Sequence, residues 1–232
     1  MYGIIRGMEI AYLGHSCFKV KTKSGVVVTD PYGKIGTMKL PALSADLVTV
    51  SHAHADHNNI DAVAGTARRE KPFVITQPGE YEVEGISVFG YPTFHDNKEG
   101  AERGGNTIYI IQAEGLRLLH LGDLGHPLSE KLLDELDTVD LVMVPTGGYY
   151  TMDGKVASDV VASLEPSYVL PMHYRTPQHD EKTFGEVTGV EPFVTAYGHG
   201  SRTVKTLSIS PLSLPVDSTE VILFEGFVSP AQ

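Results

Sequence analysis

Four potential metal ligands fall within six residues of this chain: His52, His54, Asp56 and His57, in the run His-Ala-His-Ala-Asp-His. The run constrains the fold because side chains so close in sequence must be aimed at one point by whatever holds them. Residues 46–51 just before it, Asp-Leu-Val-Thr-Val-Ser, are short and rich in branched apolar side chains, as a buried strand is. On a chain still extended, His52 and His54 leave on one face. Asp56 and His57 follow where Asn58 and Asn59 predict a turn into a helix, so they can point back to the same place from another direction. Three imidazoles and a carboxylate at such a corner suit Zn²⁺ or a similar borderline cation. The plainer reading is a histidine-rich surface turn. Against it stands the apolar strand, since sites are commonly carried on loops held by a rigid scaffold.

Three more residues obey one placement rule. His95 follows an apolar stretch at 86–89, Asp123 one at 116–121, and His173 one at 168–170. Singly, a histidine at a strand end is more often structural. Jointly, if these strand ends meet at one edge, the ligand set grows to seven, enough for two cations sharing a carboxylate.

Alternation and clustering of apolar residues predict strands at 9–13, 17–21, 26–29 and 73–76, and a hairpin over 81–83 and 86–89. A second hairpin is expected over 107–112 and 116–121, and further buried strands at 141–145 and 168–170. Asp30-Pro31 marks a strand exit, because proline lacks the donor a ladder needs. Helices are expected over 60–69, 128–136 and 156–164, the last stopped at Pro166. Residues 91–105 form the longest irregular stretch, which in a compact domain is usually functional or disordered. Residues 178–232 show only short strand-like pieces among several prolines. Strands in sheets with helices outside fit α/β or α+β layering, and one domain over 1–232 is expected.

Lys plus Arg number 18 and Asp plus Glu 29, a net charge of −11, which disfavours nucleic acid because phosphate binding relies on clustered cations. Small anions are less strongly disfavoured, since bound metal ions would reverse the local field. The lone cysteine, Cys17, allows no intrachain disulfide. With neither a signal-like apolar segment nor a membrane-length run, the expectation is a cytoplasmic protein without a membrane partner. Met8 is an alternative start, which would make Met1–Gly7 a loosely held leader.

His52-Ala-His54-Ala-Asp56-His57, followed in order by His95, Asp123 and His173, resembles the metallo-β-lactamase superfamily over nearly the whole chain. The resemblance implies an α+β fold, a four-layer αβ/βα sandwich of two facing sheets with helices outside. It implies that His52, His54 and His95 hold one metal, that Asp56, His57 and His173 hold the other, and that Asp123 bridges. Asp30 matches the superfamily's strand-end aspartate that orients the ligand loop. Leu13-Gly14-His15-Ser16-Cys17-Phe18, Thr29-Asp30-Pro31, Gly122-Asp123-Leu124, Pro145-Thr146-Gly147-Gly148 and Thr151-Met152-Asp153 are similar to a group of compact hydrolases related to the L-ascorbate-6-phosphate lactonases. This chain is shorter than a typical lactonase of that branch, so the lactone substrate is not carried over. His54 stands where the oxygen-reducing di-iron proteins usually have Glu.

The implied activity is metal-dependent hydrolysis of a small ester, lactone or phosphoester by a water shared between two divalent cations, Zn²⁺ by first expectation and Mn²⁺ by second. Asp56 is expected to orient the nucleophile, and His15 to donate a hydrogen bond or proton to substrate unless it only packs in its glycine turn. Asn106, Gly147, Gly148 and Thr151 are expected as substrate contacts, with a tight strand-to-helix connection the plainer reading of the two glycines. His120 is expected as a strand residue, and His126, His179 and His199 as surface or structural. The alternatives are a non-catalytic metal-binding or metal-sensing protein on the same scaffold and a metal-dependent nuclease. A small-molecule partner is expected, and a homo-oligomer is compatible with the sequence.

Overall fold

The computed structural model describes residues 7–227. Met1–Arg6, most of the expected leader, lie outside the described residues; Met8 is buried and opens the first strand.

In chain order the strands are β1 (Met8–Gly14), β2 (Cys17–Lys21), β3 (Val26–Thr29), β4 (Leu43–Ser44), β5 (Leu47–Thr49), β6 (Val63–Ala64), β7 (Phe73–Ile75), β8 (Gly79–Val83), β9 (Ile86–Phe94), β10 (Gly105–Ala113), β11 (Leu116–His120), β12 (Leu141–Pro145), β13 (Tyr168–Met172), β14 (Ser201–Val204), β15 (Leu207–Ile209) and β16 (Glu220–Phe224). The helices are α1 (Glu130–Leu136), α2 (Gly154–Leu164), α3 (Glu181–Phe184) and α4 (Glu191–Tyr197). Six strands form one sheet in the order β15-β1-β2-β3-β5-β7, and eight form another in the order β14-β16-β13-β12-β11-β10-β9-β8.

The period of two along each strand divides its side chains between two cores. Tyr109 and Ile111 of β10, Leu141 and Met143 of β12, and Tyr168 and Leu170 of β13 meet Ile10, Phe18, Val27 and Leu47 of the smaller sheet in the core between the sheets. The residues between them, Ile108, Ile110, Val142, Val144 and Val169, face outward into a second core closed by Leu136 of α1, by Ala157, Val160 and Val161 of α2 and by Phe193 of α4. Burying each such Val, Leu or Ile contributes roughly 1.5–3 kcal/mol. Strands covered on both faces read as unbroken apolar runs, which is how β12 reads.

The outer face of the smaller sheet is covered differently. Val28, Val48 and Val50 pack there against Tyr32, Ile35, Met38, Leu43 and Val63, from loops and the β4–β6 pair, and against Phe184 of the one-turn α3. The helix expected over 60–69 is absent: a 3₁₀ turn at Ile60–Ala62 leads directly into β6. Pairing with β4 (Leu43↔Val63, Ser44↔Ala64) and the Ala45 N–H donated to Ala64 O engage the backbone a helix would have used. The irregular stretch also shrinks. β9 runs to Phe94 and β10 begins at Gly105, so only 95–104 is loop. Pro92 hid the strand, but it sits opposite Thr107, whose N–H donates to Ser51 O across the sheets, so its missing donor breaks no bond there.

The topology brings the functional ends together. β3, β5 and β7 run parallel, as do β11, β12, β13 and β16, so their carboxyl ends share a direction within each sheet. The β1–β2 turn lies beside the end of β3, because Phe18 N–H donates to the Thr29 hydroxyl. The end of β9 pairs with the start of β10, which in turn lies next to the end of β11. Val50 O accepts from the Tyr109 hydroxyl at 3.0 Å, tying the two sheets at that edge. Asp30, the 51–57 loop, His95, Asp123, His173 and the His15 turn all hang from this one rim.

Candidate metal centre

Asp123 occupies the middle of the cluster. Its Oδ2 lies 3.1 Å from Nε2 of His95, 3.2 Å from Nε2 of His57 and of His173, and 3.9 Å from Nε2 of His52. Around it the potential ligands fall into groups whose donor atoms lie within 4.8 Å of one another: His52, His54 and His95 on one side, His15, Asp56, His57 and His173 on the other, and Asp30, His52 and His57 behind them. The structure therefore brings together all seven residues expected to hold metal, and adds His15.

The framework aims the ring nitrogens. Asp30, fully buried just past β3, accepts three hydrogen bonds: Ser51 N–H to Oδ1 at 2.8 Å, and the Ser51 hydroxyl (2.5 Å) and His57 Nδ1–H (2.9 Å) to Oδ2. Ser51 has spent its only hydroxyl proton on Asp30, so at 2.9 Å from His52 Nδ1 it acts as acceptor. Both rings thus carry a proton on Nδ1 and turn Nε2 inward. His52 Nε2, His57 Nε2 and Asp123 Oδ1 are buried without a hydrogen-bond partner in the protein. Orphaned acceptors on an aspartate and two aimed imidazoles fit a divalent cation, which takes lone pairs rather than protons.

Charges follow from the same geometry. Burial raises Asp123, but His173 and His57 beside it overturn that and leave its carboxyl well below the usual range. Burial likewise pulls His57 down, and Asp123 and Asp30 on either side more than reverse it. His52 is lowered to about 3, chiefly by burial. The carboxylates are thus anionic and His52 neutral, as metal binding requires, whereas His57, held protonated between two carboxylates, would release its second proton on binding a cation.

His15 is buried in its turn, with Nε2 3.2 Å from Asp56 Oδ2 and its ring 4.1 Å from that of His173. Burial first, then His173, lowers it to about 3, so it is neutral. Its Nε2 is thus engaged with Asp56, and its Nδ1 is buried without a hydrogen-bond partner. Asp56 has 39% of its side chain exposed and so keeps a face toward solvent.

Three of these residues stand in the left-handed backbone region that non-glycine residues rarely adopt: His15 (φ 56°), Asp30 (φ 37°) and His173 (φ 52°). Each is held there by partners. His15 O accepts from the Tyr12 hydroxyl (2.6 Å) and from His173 N–H (2.8 Å), which locks the two turns together. Strain of this sort persists only where the surroundings over-determine it. Tyr12 was not expected in the site; its place in an alternating strand gave no signal of it.

The expected substrate contacts fare differently. Asn106 is buried with its side chain engaged: Nδ2 donates to the Thr93 hydroxyl (2.8 Å) and to Leu121 O (3.0 Å), and Oδ1 accepts from Asp123 N–H (3.0 Å). It holds the Asp123 turn and has no donor left for substrate. Gly122 completes that turn at φ 52°, where a Cβ would lie 2.4 Å from Asn106 Oδ1 and 2.5 Å from Ser51 Cβ. A Cβ on Gly147 would lie 2.2 Å from His173 O, so the glycine serves the close approach of two backbones. Gly148 N–H donates to Met152 O, which leaves it no proton for an anion. The Thr151 hydroxyl is directed at Met152 O at 3.4 Å, within the same turn.

His120 ends β11 and spans the sheets, with Nε2–H donating to Ser16 O at 2.9 Å while Nδ1 accepts from Gly122 N–H at 3.2 Å. His126 accepts from Phe94 N–H at 3.2 Å, and His199 stacks on Tyr197 at the surface. His179 is half-buried against Phe184. Asp96, like Tyr12, was not expected in the site. Its carboxylate accepts from four backbone N–H groups, those of Lys98 (2.8 Å), Gly100 (3.0 Å), Glu102 (3.0 Å) and Arg103 (2.7 Å), and so shapes the loop next to His95. An Asp followed within a few residues by Gly was the available signal.

Two facing sheets with a paired His/Asp cluster on one rim define the class: an αβ/βα sandwich built around a candidate binuclear metal centre. Residues 9–173 match the family described as the Beta-lactamase superfamily domain. The chain is 31% identical over 193 residues to a UPF0173 metal-dependent hydrolase of Thermococcus onnurineus, covering 73% of this chain and 85% of the relative. It is 33% identical over 195 residues to one from Carboxydothermus hydrogenoformans, again covering 73% and 85%. A solved metallo-β-lactamase superfamily structure from Thermotoga maritima superposes with a TM-score of 0.76 at 31% identity, covering 94% of this chain and 98% of that one. The chain belongs to the metallo-β-lactamase superfamily.

Proposed function

We propose that this protein is a metal-dependent hydrolase acting on a small ester, lactone or phosphoester, with two divalent cations, Zn²⁺ before Mn²⁺, as its cofactors. The relatives from T. onnurineus and C. hydrogenoformans carry the name metal-dependent hydrolase, and the T. maritima structure is described as a candidate Zn-dependent one. The observation that carries the reading is Asp123 Oδ2 set 3.1–3.2 Å from three imidazole nitrogens of both groups, with orphaned acceptors around it. His52, His54 and His95 would hold one cation, Asp56, His57 and His173 the other, and Asp123 would serve both.

Cations so held would lower the pKa of water toward neutrality and polarise a carbonyl or phosphoryl oxygen. The chain's own residues do the rest. Asp30 and Ser51 fix the tautomers of His57 and His52, and His15 fixes Asp56. Asp56, partly open to solvent, accepts a hydrogen bond from the attacking water and orients it. A single domain in the cytoplasm, working on a small molecule, completes the proposal; among the described residues no helix is long and apolar enough to cross a membrane.

The test has two readouts. Elemental analysis of protein dialysed against Zn²⁺ or Mn²⁺ should give about two metals per chain, the number the two ligand groups predict. The loaded protein should turn over generic esters, lactones or phosphodiesters, and His54→Ala should turn over none of them at a comparable rate. Two bound metals with no turnover across the panel would favour the non-catalytic metal-binding reading.

A further inference from the structure

Beside the candidate centre a cavity of about 560 Å³ lies between the ends of β5 and β7 on one side and β9 and β10 on the other, with His52 in its wall. No Lys, Arg, Asp or Glu lines it. Its apolar wall is made by Pro78, Pro92 and Phe94, the last an aromatic ring left 39% exposed beside His95. The polar groups deeper in the wall are committed elsewhere. The Thr93 hydroxyl donates to Asn106 O (3.1 Å), the Asn106 amide is fully engaged, and the Ser51 hydroxyl belongs to Asp30 and His52. Asn58, Thr76, Gln77 and Thr107 complete the wall with neutral groups, so an ionised group seated away from the cations would meet no counter-charge. An uncharged apolar group would lose nothing and would exclude water next to His52. The volume is that of a site for a small organic molecule, well beyond what one water-sized ligand needs.

We infer that this cavity seats the non-reacting part of the substrate, and that this part is uncharged and apolar, so that among the classes of ester the preferred one is a neutral carboxylic ester or lactone with a medium-length acyl chain. The inference rests on the hydrolase reading and narrows it. A substrate lying between Phe94 and Pro78 extends from the His52–His54–His95 side, away from Asp56. Gly105 lies opposite Phe94 in the β9–β10 pair, and a Cβ built there meets nothing nearer than Thr93 O at 3.9 Å. A larger side chain at 105 can therefore enter the cavity without disturbing the metal ligands.

The experiment compares acetyl, butanoyl and octanoyl esters of one chromogenic alcohol, and a phosphodiester of the same alcohol, on the metal-loaded full chain. Separately, binding of the uncharged, non-hydrolysable ketone 2-decanone is followed by ligand-observed NMR. Expected is a kcat/KM that rises about tenfold or more from acetyl to octanoyl, consistent with the gain per buried methylene, and exceeds that for the phosphodiester. Gly105→Leu should flatten the chain-length dependence and abolish ketone binding while acetyl-ester turnover persists. Phe94→Ala, at a partly exposed position, should weaken ketone binding with metal content unchanged. Chain-length indifference in the wild type, a preference for the phosphodiester, or ketone binding untouched by both variants would each overturn the inference. If no ester reacts while the ketone still binds and Gly105→Leu abolishes it, the apolar seat stands and the hydrolase reading fails instead.

Discussion

The two halves of the candidate centre are built to different standards. On the Asp56 side, His15, His57 and His173 are buried to 2% exposure or less, two of them on left-handed backbones cross-linked to each other, and His57 is braced by Asp30. On the other side His95 is comparably buried and the His52 ring, its side chain 5% exposed, is braced by Ser51, but His54 is exposed; on the first side Asp56 alone stays open, at 39%. A ligand whose rotamer is locked loses little freedom on binding metal, whereas an exposed one must be ordered at that moment. One half would therefore be a preformed seat, and the other would be finished by the cation itself. The difference teaches where the site is rigid for chemistry and where it stays open to solvent and to the cavity beside His52.

The comparison breaks first at its shared member. Asp123→Ala removes the carboxylate common to both halves; metal content measured after dialysis should fall from about two to below one per chain, and hydrolysis to background. Retention of both metals would show that the halves are independent. Next come the paired histidines. His57→Ala leaves Asp30 buried with one donor lost, so it should cost about 1–3 kcal/mol in chemical denaturation as well as the metal on its side. His54→Ala, at an exposed position, should change stability by no more than about 0.5 kcal/mol and leave one metal in place. Equal stability losses in the two variants would end the distinction drawn here.

A smaller effect sharpens it. In Asp30→Asn one carboxylate oxygen becomes an amide nitrogen, which cannot accept. Ser51 N–H, the Ser51 hydroxyl and His57 Nδ1–H then compete for a single oxygen. Second-sphere losses of this kind weaken metal binding about 10–100-fold. The loss should appear in a chelator-competition titration as a larger shift in the phase of the His57 side and a smaller one in the other, which Asp30 reaches only through Ser51 and His52.

The same contrast explains what could be read from residues alone. The strands that feed the site are apolar runs covered on both faces, so β5, β11, β12 and β13 and the ligands just beyond them were legible, and β11 and β12 lie within a residue of their expected bounds. Local periodicity carries no information on partners far along the chain. That is why nothing in the sequence marks Tyr12, whose hydroxyl reaches the His15 turn, and why Asn106, expected as a substrate contact, instead gives its amide to the Asp123 turn. The region after 178 was obscure for a related reason. Its strands are short and paired at sheet margins: β15 against β1, β16 against β13 and β14 outermost. Half-exposed edge strands need not be apolar, so their pattern is faint. The layer over the smaller sheet was misread at 60–69 because pairing with β4, nearly twenty residues earlier, overrode a weak helical pattern.

The smallest expected effect concerns the loop that flanks the open half. Asp96 immediately follows His95, and its four backbone acceptor contacts are what give residues 97–103 one conformation. Burial alone would raise this carboxyl; the N–H groups of Arg103, Lys98, Glu102 and Gly100 outweigh it and hold the pKa at about 2, against 3.8 for the free group. A carboxylate depressed in the folded state stabilises that state above the free value and loses its effect as pH falls through the folded one. Order in the loop should therefore be constant above about pH 5 and decline between about pH 4 and pH 2. Amide hydrogen exchange at Gly100, Glu102 and Arg103 reads this directly. In Asp96→Asn, where one oxygen can no longer accept, the same amides should exchange faster already at neutral pH, with little change at Asp30 or His57. Spread of the faster exchange to the buried half would mean that the two halves are mechanically one.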